Sequence, residues 1–447
     1  MVSLVYRLKG SATTGILRFP FLSPFFYGRA WMISSAMSSS SVESEPQPKI
    51  LSAPWLMLPP PVFKAGSDMK LKFYNLAEDR LESFGVKLPN DSNDAAVLVG
   101  SSHGWLAFFN QSNNHLFLSN PLSDRHLKLP PIDTLPNPEI NLRDGCGTVS
   151  KVILSCSPDD DEEEECRAMM SFGPGDSLAF CLPGRSPTHW TPIGKLFFDN
   201  YPIDDDYRDD GLNYSYGRAY EDFVYCSRRK LFSCITEFVM NLELWEPSVP
   251  TELEDWDLCE PSSPRSRVCY RMSKLKFEGV KNCSWLKENK KLLQMCIHIP
   301  YLVFAEQSDQ LFIVTRFINV DPYKTVGFSV LKVDYQNGLV DRLRLAGDSE
   351  EEGGSLGGLA MFIGLNHSFA VSAAAELGLK PNSIYFTDAV NTRLTHPSDV
   401  RCPYHSHGRD SGIFDYGNKT LSPLPYYKCS SHDDQALSTP MWFTPSW

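Results

Sequence analysis

Residues 96–120 read AVLVGSSHGWLAFFNQSNNHLFLSN and contain three short apolar runs separated by polar turns. The runs at 96–99, 105–109 and 115–119 are rich in valine, leucine and phenylalanine, with glycine, asparagine and serine between them. Apolar runs of about five residues that are bounded by turn-forming residues are typical of β-strands. The second and third runs predict a β-hairpin.

The same pattern recurs along the chain and predicts an all-β fold. Further runs lie at 152–155, 177–181, 223–226, 231–238, 301–305, 310–316, 327–333, 360–364, 369–373, 383–387 and 412–415. Helical periodicity is scarce, and the best candidate for a helix is residues 285–296.

Many short strands in one chain must cover their edges, and closing them radially into a β-propeller achieves this. Residues 95–425 provide about 330 residues, and four-stranded blades use about 45–50 residues each. This arithmetic predicts six or seven blades. A pair of β-sandwiches remains as the alternative.

The first 42 residues differ from the rest because they contain four basic residues and no acid before Glu43. The basic residues are Arg7, Lys9, Arg18 and Arg29. A basic, serine-rich, acid-free leader is typical of an organellar presequence. We expect import into mitochondria, with plastids as the alternative. A start at Met32 or Met37 would remove the signal and leave the protein in the cytosol or nucleus.

The chain is therefore divided into four parts. We expect a presequence or disordered leader at 1–42, a linker at 43–53, a propeller domain at 54–430 and a C-terminal tail at 431–447.

Composition narrows the possible partners. The formal net charge is −12 and the isoelectric point is about 5.4, which argues against general binding to nucleic-acid phosphates. No stretch reaches the roughly 20 apolar residues of a membrane span. The twelve cysteines are scattered without regular spacing, which favours reduced thiols.

Two acidic tracts predict solvated loops, because neighbouring like charges repel one another. The first is residues 159–165, and the second is residues 204–206 followed by 209–210. A propeller that presents such loops would attract a basic protein partner electrostatically.

The sequence offers no recognisable catalytic motif. The glycine-rich residues 353–358 lack the strand–turn–helix setting of a nucleotide loop and predict a flexible loop. Ser102 and His103 are adjacent, so their side chains point in opposite directions in an extended chain and do not predict a catalytic dyad. We therefore expect no enzyme, no catalytic residues and no cofactor.

One group of residues has the chemistry of zinc ligands. It consists of Cys402, His405, His407, Cys429 and His432. The surrounding sequence is rich in proline, serine and glycine, which favours an exposed loop, and we therefore predict no metal site.

Several segments together carry a family resemblance. GSSHGWLAFF at 100–109, GLNHSF at 364–369, GLKPNSIYFTD at 378–388 and GIFD at 412–415 occur in the order found in the plant DUF295 family. Proteins of this family are described as kelch-like β-propellers and often carry an F-box. The resemblance implies a propeller over most of the chain.

An F-box would occupy the region in which this chain has its basic leader and three consecutive prolines, Pro59 to Pro61. Because proline breaks helices, the chain resembles the organelle-targeted branch that lacks an F-box, and we expect no Skp-type adaptor. The expected function is that of a non-enzymatic interaction protein. Its protein partner is unknown, and the acidic tracts favour a basic one. An F-box-type substrate adaptor in ubiquitin-dependent degradation and a propeller enzyme of unknown chemistry remain as alternatives.

Residues 1–42 fused to a fluorescent reporter should direct the reporter to mitochondria, because the leader has the charge of a presequence. Replacing its four basic residues by glutamate should leave the reporter in the cytosol. Fluorescence microscopy with a mitochondrial marker measures this. A cytosolic or secreted wild-type fusion would contradict the expectation.

Overall fold

The structure is a computed structural model, and the description below concerns only the residues with a defined placement. These are 53–58, 69–86, 96–110, 113–135, 149–159, 165–173, 177–184, 189–195, 220–236, 242–247, 266–271, 277–278, 288–293, 295–320, 323–336, 339–346, 355–372, 374–388, 410–424 and 440–445. All of them belong to one compact unit, residues 52–447.

Four sheets contain four strands each, and all pairings within them are antiparallel. Sheet 1 has β1 (Trp55–Met57), β2 (Met69–Asn75), β3 (Arg80–Val86) and β26 (Met441–Phe443). Sheet 2 has β4 (Ala96–Ser102), β5 (Trp105–Asn110), β6 (His115–Asn120) and β7 (Arg125–Lys128). Sheet 3 has β8 (Val149–Leu154), β9 (Ala168–Phe172), β10 (Ser177–Cys181) and β11 (Thr191–Lys195). Sheet 4 has β12 (Tyr220–Cys226), β13 (Leu231–Thr236), β14 (Leu242–Pro247) and β15 (Ser266–Arg271).

The other ten strands divide into two sheets that are joined by one pair of residues, Phe304 and Phe369. Sheet 5 has β16 (Phe277–Glu278), β17 (Ile297–Ala305), β18 (Gln310–Val320), β19 (Tyr323–Gln336) and β20 (Leu339–Leu345). Sheet 6 has β21 (Ala360–Ile363), β22 (Phe369–Val371), β23 (Ser383–Phe386), β24 (Gly412–Asp415) and β25 (Thr420–Ser422). One α-helix, α1 (Lys290–Leu293), and two 3-10 turns, Ile132–Thr134 and Glu306–Ser308, complete the described elements.

Each sheet shares an apolar cluster with the sheet before it and the sheet after it. Representative pairs, in order around the ring, are Phe73 with Phe108, Trp105 with Met170, Phe180 with Phe223, Leu244 with Leu302, Val303 with Met361, and Phe362 with Trp442. The last cluster joins sheet 6 to sheet 1 and closes the ring. Paired sandwiches would pack each sheet against one partner only, so the fold is a β-propeller and the six sheets are its blades.

The inner strands show how one strand serves two clusters. In β12, Phe223 and Tyr225 pack toward blade 3, whereas Val224 and Cys226 pack toward blade 5. Successive side chains of a strand point to opposite faces, so a mostly apolar run is expected where both faces are buried. This explains why the inner strands appear in the sequence as continuous apolar runs.

The expected all-β fold is confirmed, and every apolar run named in the sequence analysis overlaps a strand. The expectation did not include β2 or β3. These strands carry charged and polar residues such as Lys70, Lys72 and Glu82, because one face of each is exposed. The helix expected at 285–296 was wrong in extent, since α1 covers only Lys290–Leu293 and β17 follows at Ile297.

The expected boundary of the domain at residue 430 was also wrong. Residues 441–443 were assigned to a tail, but they form β26, and Trp55–Met57 pair with them in antiparallel register. Met441, Trp442 and Phe443 are fully buried. Three apolar side chains and an available sheet edge account for this pairing, because β1 would otherwise present unpaired backbone groups.

Six cysteines of the described residues are free thiols, namely Cys156, Cys166, Cys181, Cys226, Cys234 and Cys296. No helix of the described part is long and apolar enough to cross a membrane.

Trp442→Ala should destabilise the protein by about 3–5 kcal/mol, because it removes a fully buried ring from the cluster that closes the propeller. The ring packs edge-on against Phe362 and Tyr385, with centroid distances of 5.0 and 5.9 Å. Equilibrium unfolding in urea measures the loss.

Leu421→Ala is the matched control for this prediction. Leu421 lies on the outer strand β25 and is exposed, so its truncation should change the free energy of unfolding by less than about 0.5 kcal/mol. Equal losses in the two variants would contradict the role of β26 in closing the ring.

Candidate functional site

A short segment between β21 and β22, residues 364–368, crosses the inner side of the ring and is here called the axial segment. The His367 backbone N–H donates to the Ser101 carbonyl of blade 2 at 2.8 Å. The Tyr225 backbone N–H of blade 4 donates to Nε2 of His367 at 3.4 Å. Leu365 packs against the cluster between blades 1 and 2. The axial segment therefore connects blade 6 with blades on the other side of the ring.

The sequence permits this crossing because the chain begins it with a glycine. A Cβ atom on Gly364 would lie 2.1 Å from Oγ1 of Thr387 and 3.1 Å from Oδ1 of Asn366. Both distances are shorter than ordinary contacts, so a side chain at this position would displace the segment. The Asn366 side chain then donates to the His367 carbonyl at 2.7 Å and holds the turn in place.

Beside the axial segment, a buried ion pair joins three further blades. Lys151 of β8 donates to Oδ1 of Asp222 of β12, and both side chains are almost fully buried. Asp222 also accepts from the backbone N–H groups of Phe223 at 2.9 Å and of Leu302, in β17, at 2.8 Å. One carboxylate thus holds together the inner strands of blades 3, 4 and 5.

The electrostatics of this carboxylate combine two opposing effects. Burial raises the pKa of Asp222, whereas Lys151 and the two backbone donors favour the charged form and oppose the increase. The ion pair between Lys151 and Asp222 holds the blades together, because separating the blades would leave two buried charges without partners, which is unfavourable.

Two histidines lie next to each other at this position. The ring centroids of His103 and His367 are 5.6 Å apart, with 33° between the ring planes. Burial, together with the positive charges available to His103 and Lys151, lowers the pKa of His367 well below its ordinary value. His367 is therefore neutral at neutral pH. Because its Nε2 accepts from Tyr225, its proton is on Nδ1.

Ser102 and His103 have different contacts despite being adjacent. Oγ of Ser102 accepts from the Leu154 backbone N–H at 3.0 Å and links blade 2 to blade 3. The ring of His103 lies against His367 instead, and His103 has a φ of 50° at the turn into β5.

A second buried network lies between blades 5 and 6 and is centred on Arg316, which is completely buried. Its Nε donates to Oγ1 of Thr325 and its Nη1 to the Thr387 carbonyl, both at 2.8 Å. Its Nη2 donates to Oδ2 of Asp410 at 2.7 Å, and the guanidinium lies 4.8 Å from the ring centroid of Phe386. Thr325 lies in β19, Phe386 and Thr387 lie at the C-terminal end of β23, and Asp410 lies two residues before β24.

Chemically, the axial residues His103, Lys151, Asp222 and His367 hold the blades in register. The basic lone pair of His367 is occupied by a backbone donor, and the charges of Lys151 and Asp222 are paired with each other. In the described part of the chain, no group of three or more histidine, cysteine, aspartate or glutamate side chains could hold a metal ion. Cys402, His405, His407, Cys429 and His432 lie outside the described residues, as does the second acidic tract.

The first acidic tract begins at a well-anchored point on the surface. The Trp105 indole N–H of blade 2 donates to Oγ of Ser157 at 3.2 Å, and the Asp159 backbone N–H donates to the same oxygen at 3.3 Å. Asp159 also forms an ion pair with Arg125 of β7. The segment at 157–165, here called the acidic loop, connects β8 and β9 of blade 3, and its first residues are held against blade 2.

The sequence analysis did not single out Lys151, Asp222, Arg316 or His367. One feature of the sequence could have identified these residues: each is a charged or polar residue beside or within an apolar run. Lys151 and Asp222 each directly precede such a run, and Arg316 ends one. A charge at such a position is buried only if it has a partner, and the partners here are far away in the sequence.

With this geometry established, the chain can be assigned to a family. Residues 73–415 match the model of the KIB1-4 beta-propeller family, and the chain belongs to that family. No curated protein matches the chain.

Several solved structures are similar over most of their length, with low identities. The β-propeller domain of Cps50 (Swd1) from Myceliophteria thermophila is 9% identical over 84% of this chain and 90% of that chain, with a TM-score of 0.36. A putative 6-phosphogluconolactonase from Bacteroides uniformis is 11% identical over 86% and 88%, also with a TM-score of 0.36. AofleA from Arthrobotrys oligospora is 8% identical over 89% and 90%, with a TM-score of 0.31. At these values none of the three supports an inference about function.

His367→Gln should make the protein less sensitive to acid. In the wild type, unfolding exposes a histidine that ionises near pH 6.5, whereas folded His367 stays neutral. Stability is therefore lost as the pH falls below about 6.5, and this group accounts for about 1 kcal/mol between pH 7.5 and 5.5. The oxygen of a glutamine at position 367 can accept from the Tyr225 N–H, and the glutamine side chain does not ionise. The loss of unfolding free energy between pH 7.5 and 5.5 should therefore be about 1 kcal/mol smaller in the variant than in the wild type.

Urea unfolding at the two pH values measures this difference. His115→Gln, which changes an exposed histidine at the start of β6, should show the acid sensitivity of the wild type. An unchanged pH dependence in His367→Gln would contradict the neutral state of His367.

Proposed function

We propose that this chain is a non-enzymatic β-propeller that binds a basic protein partner through the acidic loop. The observation that carries the proposal is the anchoring of this β8–β9 loop of blade 3 to blade 2 through Ser157 and Asp159. The tract of seven consecutive acids, residues 159–165, thereby has its first residue fixed at one defined place. Concentrated charge of one sign accelerates association with a partner of the opposite sign.

The axial residues support the same proposal from the inside of the ring. Their hydrogen bonds and charges are directed at neighbouring blades, which assigns them to holding the scaffold. In this proposal the partner binds to the loops between strands, and in particular to the acidic loop. A rigid ring suits this role, because a loop on a fixed base loses little entropy on binding.

The compartment and the closer family are also part of the proposal. The basic, acid-free leader supports import into mitochondria, and the ordered motifs support membership of the plant DUF295 family in the branch without an F-box. The partner would then be a basic protein of the mitochondrion.

The test is capture of proteins from a mitochondrial extract on the immobilised chain. Captured proteins should be enriched in basic proteins and should elute between about 0.1 M and 1 M salt, over which the Debye length falls from about 10 Å to 3 Å. Replacing Glu162, Glu163 and Glu164 by glutamine should reduce capture several-fold without changing the melting temperature.

The matched control replaces the exposed acids Glu78, Glu306 and Glu376 by glutamine, which changes the net charge by the same amount. Capture by the control should remain close to that of the wild type. Equal reduction in both variants, or capture that is indifferent to salt, would contradict binding through the acidic loop. Recovery of a Skp-type adaptor would favour the ubiquitin-ligase alternative instead.

A further inference from the structure

Two cysteines lie directly opposite each other at the base of the acidic loop. The β8–β9 register pairs Leu154 with Ala168, and one further step is set by the Ser155 N–H, which donates to the Arg167 carbonyl at 2.8 Å. The next opposed pair is Cys156 and Cys166. The two cysteines thus enclose the loop that carries the acidic tract.

The register also sets the distance between the two cysteines. The Ser155 N–H donates to the Arg167 carbonyl, and the Arg167 N–H donates to Oγ of Ser155 at 2.8 Å, so the two segments are still held together one step before the cysteines. Opposed residues of an antiparallel pair have Cα atoms about 4.5–5.5 Å apart. Disulfides require Cα separations of about 4.4–6.8 Å. Sγ of Cys166 donates to the Cys156 carbonyl at 3.2 Å, so the Cys166 sulfur already lies against the backbone of Cys156. A disulfide therefore needs only a small rotation of the side chains.

The surroundings favour Cys156 as the sulfur that reacts first. The Ser155 hydroxyl donates to Sγ of Cys156 at 3.7 Å, and a hydrogen bond to sulfur stabilises the thiolate. The pKa of Cys166 is raised above its ordinary value, because the side chain of Cys156 hydrogen-bonds to it and because it is partly buried; a hydrogen bond from Ser155 opposes this increase without cancelling it. Both cysteines are partly exposed, whereas Cys181, Cys226 and Cys234 are buried.

We propose that Cys156 and Cys166 form a redox-active dithiol that small-molecule disulfides convert into an intramolecular disulfide. The thiolate of Cys156 attacks one sulfur of the small disulfide, whose S–S bond breaks and releases one thiolate. Cys166 loses its proton and attacks the sulfur of Cys156, which forms the protein disulfide and releases the second thiolate. The two protein thiols are oxidised and the small disulfide is reduced. The protons from the two protein thiols pass to the two released thiolates, which become thiols.

The disulfide would tie the two ends of the acidic loop together. The loop already has one end fixed to blade 2 through Ser157 and Asp159, so the bond would fix the other end to the same point. Any effect of oxidation on partner capture rests on the proposed function. Formation of the disulfide does not, and it is measured separately.

The experiment treats the folded, full-length protein with glutathione disulfide and then blocks the remaining thiols by alkylation. Intact mass before alkylation should fall by about 2 Da, the mass of two hydrogen atoms, and digestion without reductant should yield one peptide pair linked through Cys156 and Cys166. Cys166→Ser should retain a single glutathione, with a mass increase of about 300 Da at Cys156.

The matched control is Cys296→Ser, which removes a half-buried cysteine elsewhere in the described chain. It should form the Cys156–Cys166 disulfide as the wild type does. Cys156→Ser serves as a second variant if Cys166→Ser does not fold, and it should abolish the linked peptide. Wild-type protein in which both cysteines remain open to alkylation, or in which Cys156 keeps its glutathione, would overturn the proposal. Capture of basic proteins by the reduced protein tests the proposed function separately, because it does not depend on the disulfide.

Discussion

Blade 1 is built from both ends of the described chain, since β26 near the C-terminus pairs with β1 near residue 55. Without this strand, β1 would present an unpaired edge and blade 6 would lack part of the apolar surface against which it packs. Each blade depends on its two neighbours for burial, so an opening at one junction exposes two faces. The other strands are paired within consecutive stretches of chain, whereas this junction joins segments almost four hundred residues apart.

A ring closed at its circumference still requires its inner strands to be placed relative to one another. The axial segment and the pair Lys151–Asp222 do this with directional bonds, which apolar packing cannot supply. Arg316 does the same at the junction of blades 5 and 6. Burying charges costs free energy, so these ion pairs add little to stability by themselves. They favour this one arrangement of the blades, because any arrangement that separates the partners leaves buried charges unpaired. The inside of the propeller is therefore specified by polar contacts and stabilised by apolar ones.

The acidic loop and the cysteine pair share one location, the junction of blades 2 and 3. On the blade 2 side, Trp105 and Arg125 hold Ser157 and Asp159. On the blade 3 side, the β8–β9 ladder ends at the opposed cysteines. A charged loop with a redox-active base would couple the chemical state of the thiols to the geometry of the surface that the partner meets. The rigidity of the ring beneath it makes such local coupling possible.

The sequence by itself determined the fold class and the position of most strands. Runs such as 105–109 and 177–181 are largely apolar on both faces of the strand, as expected for a strand that is buried on both sides. It also predicted six or seven blades, and the described residues form six. Strands with one exposed face, such as β3, and the short β26 were not found, because alternating or three-residue patterns also occur in loops. Only the tertiary structure decided the candidate site. His367 meets Tyr225 across 142 positions of sequence, and Lys151 meets Asp222 across 71. Local composition carries no information about such distant pairs, because closure of the ring brings them together.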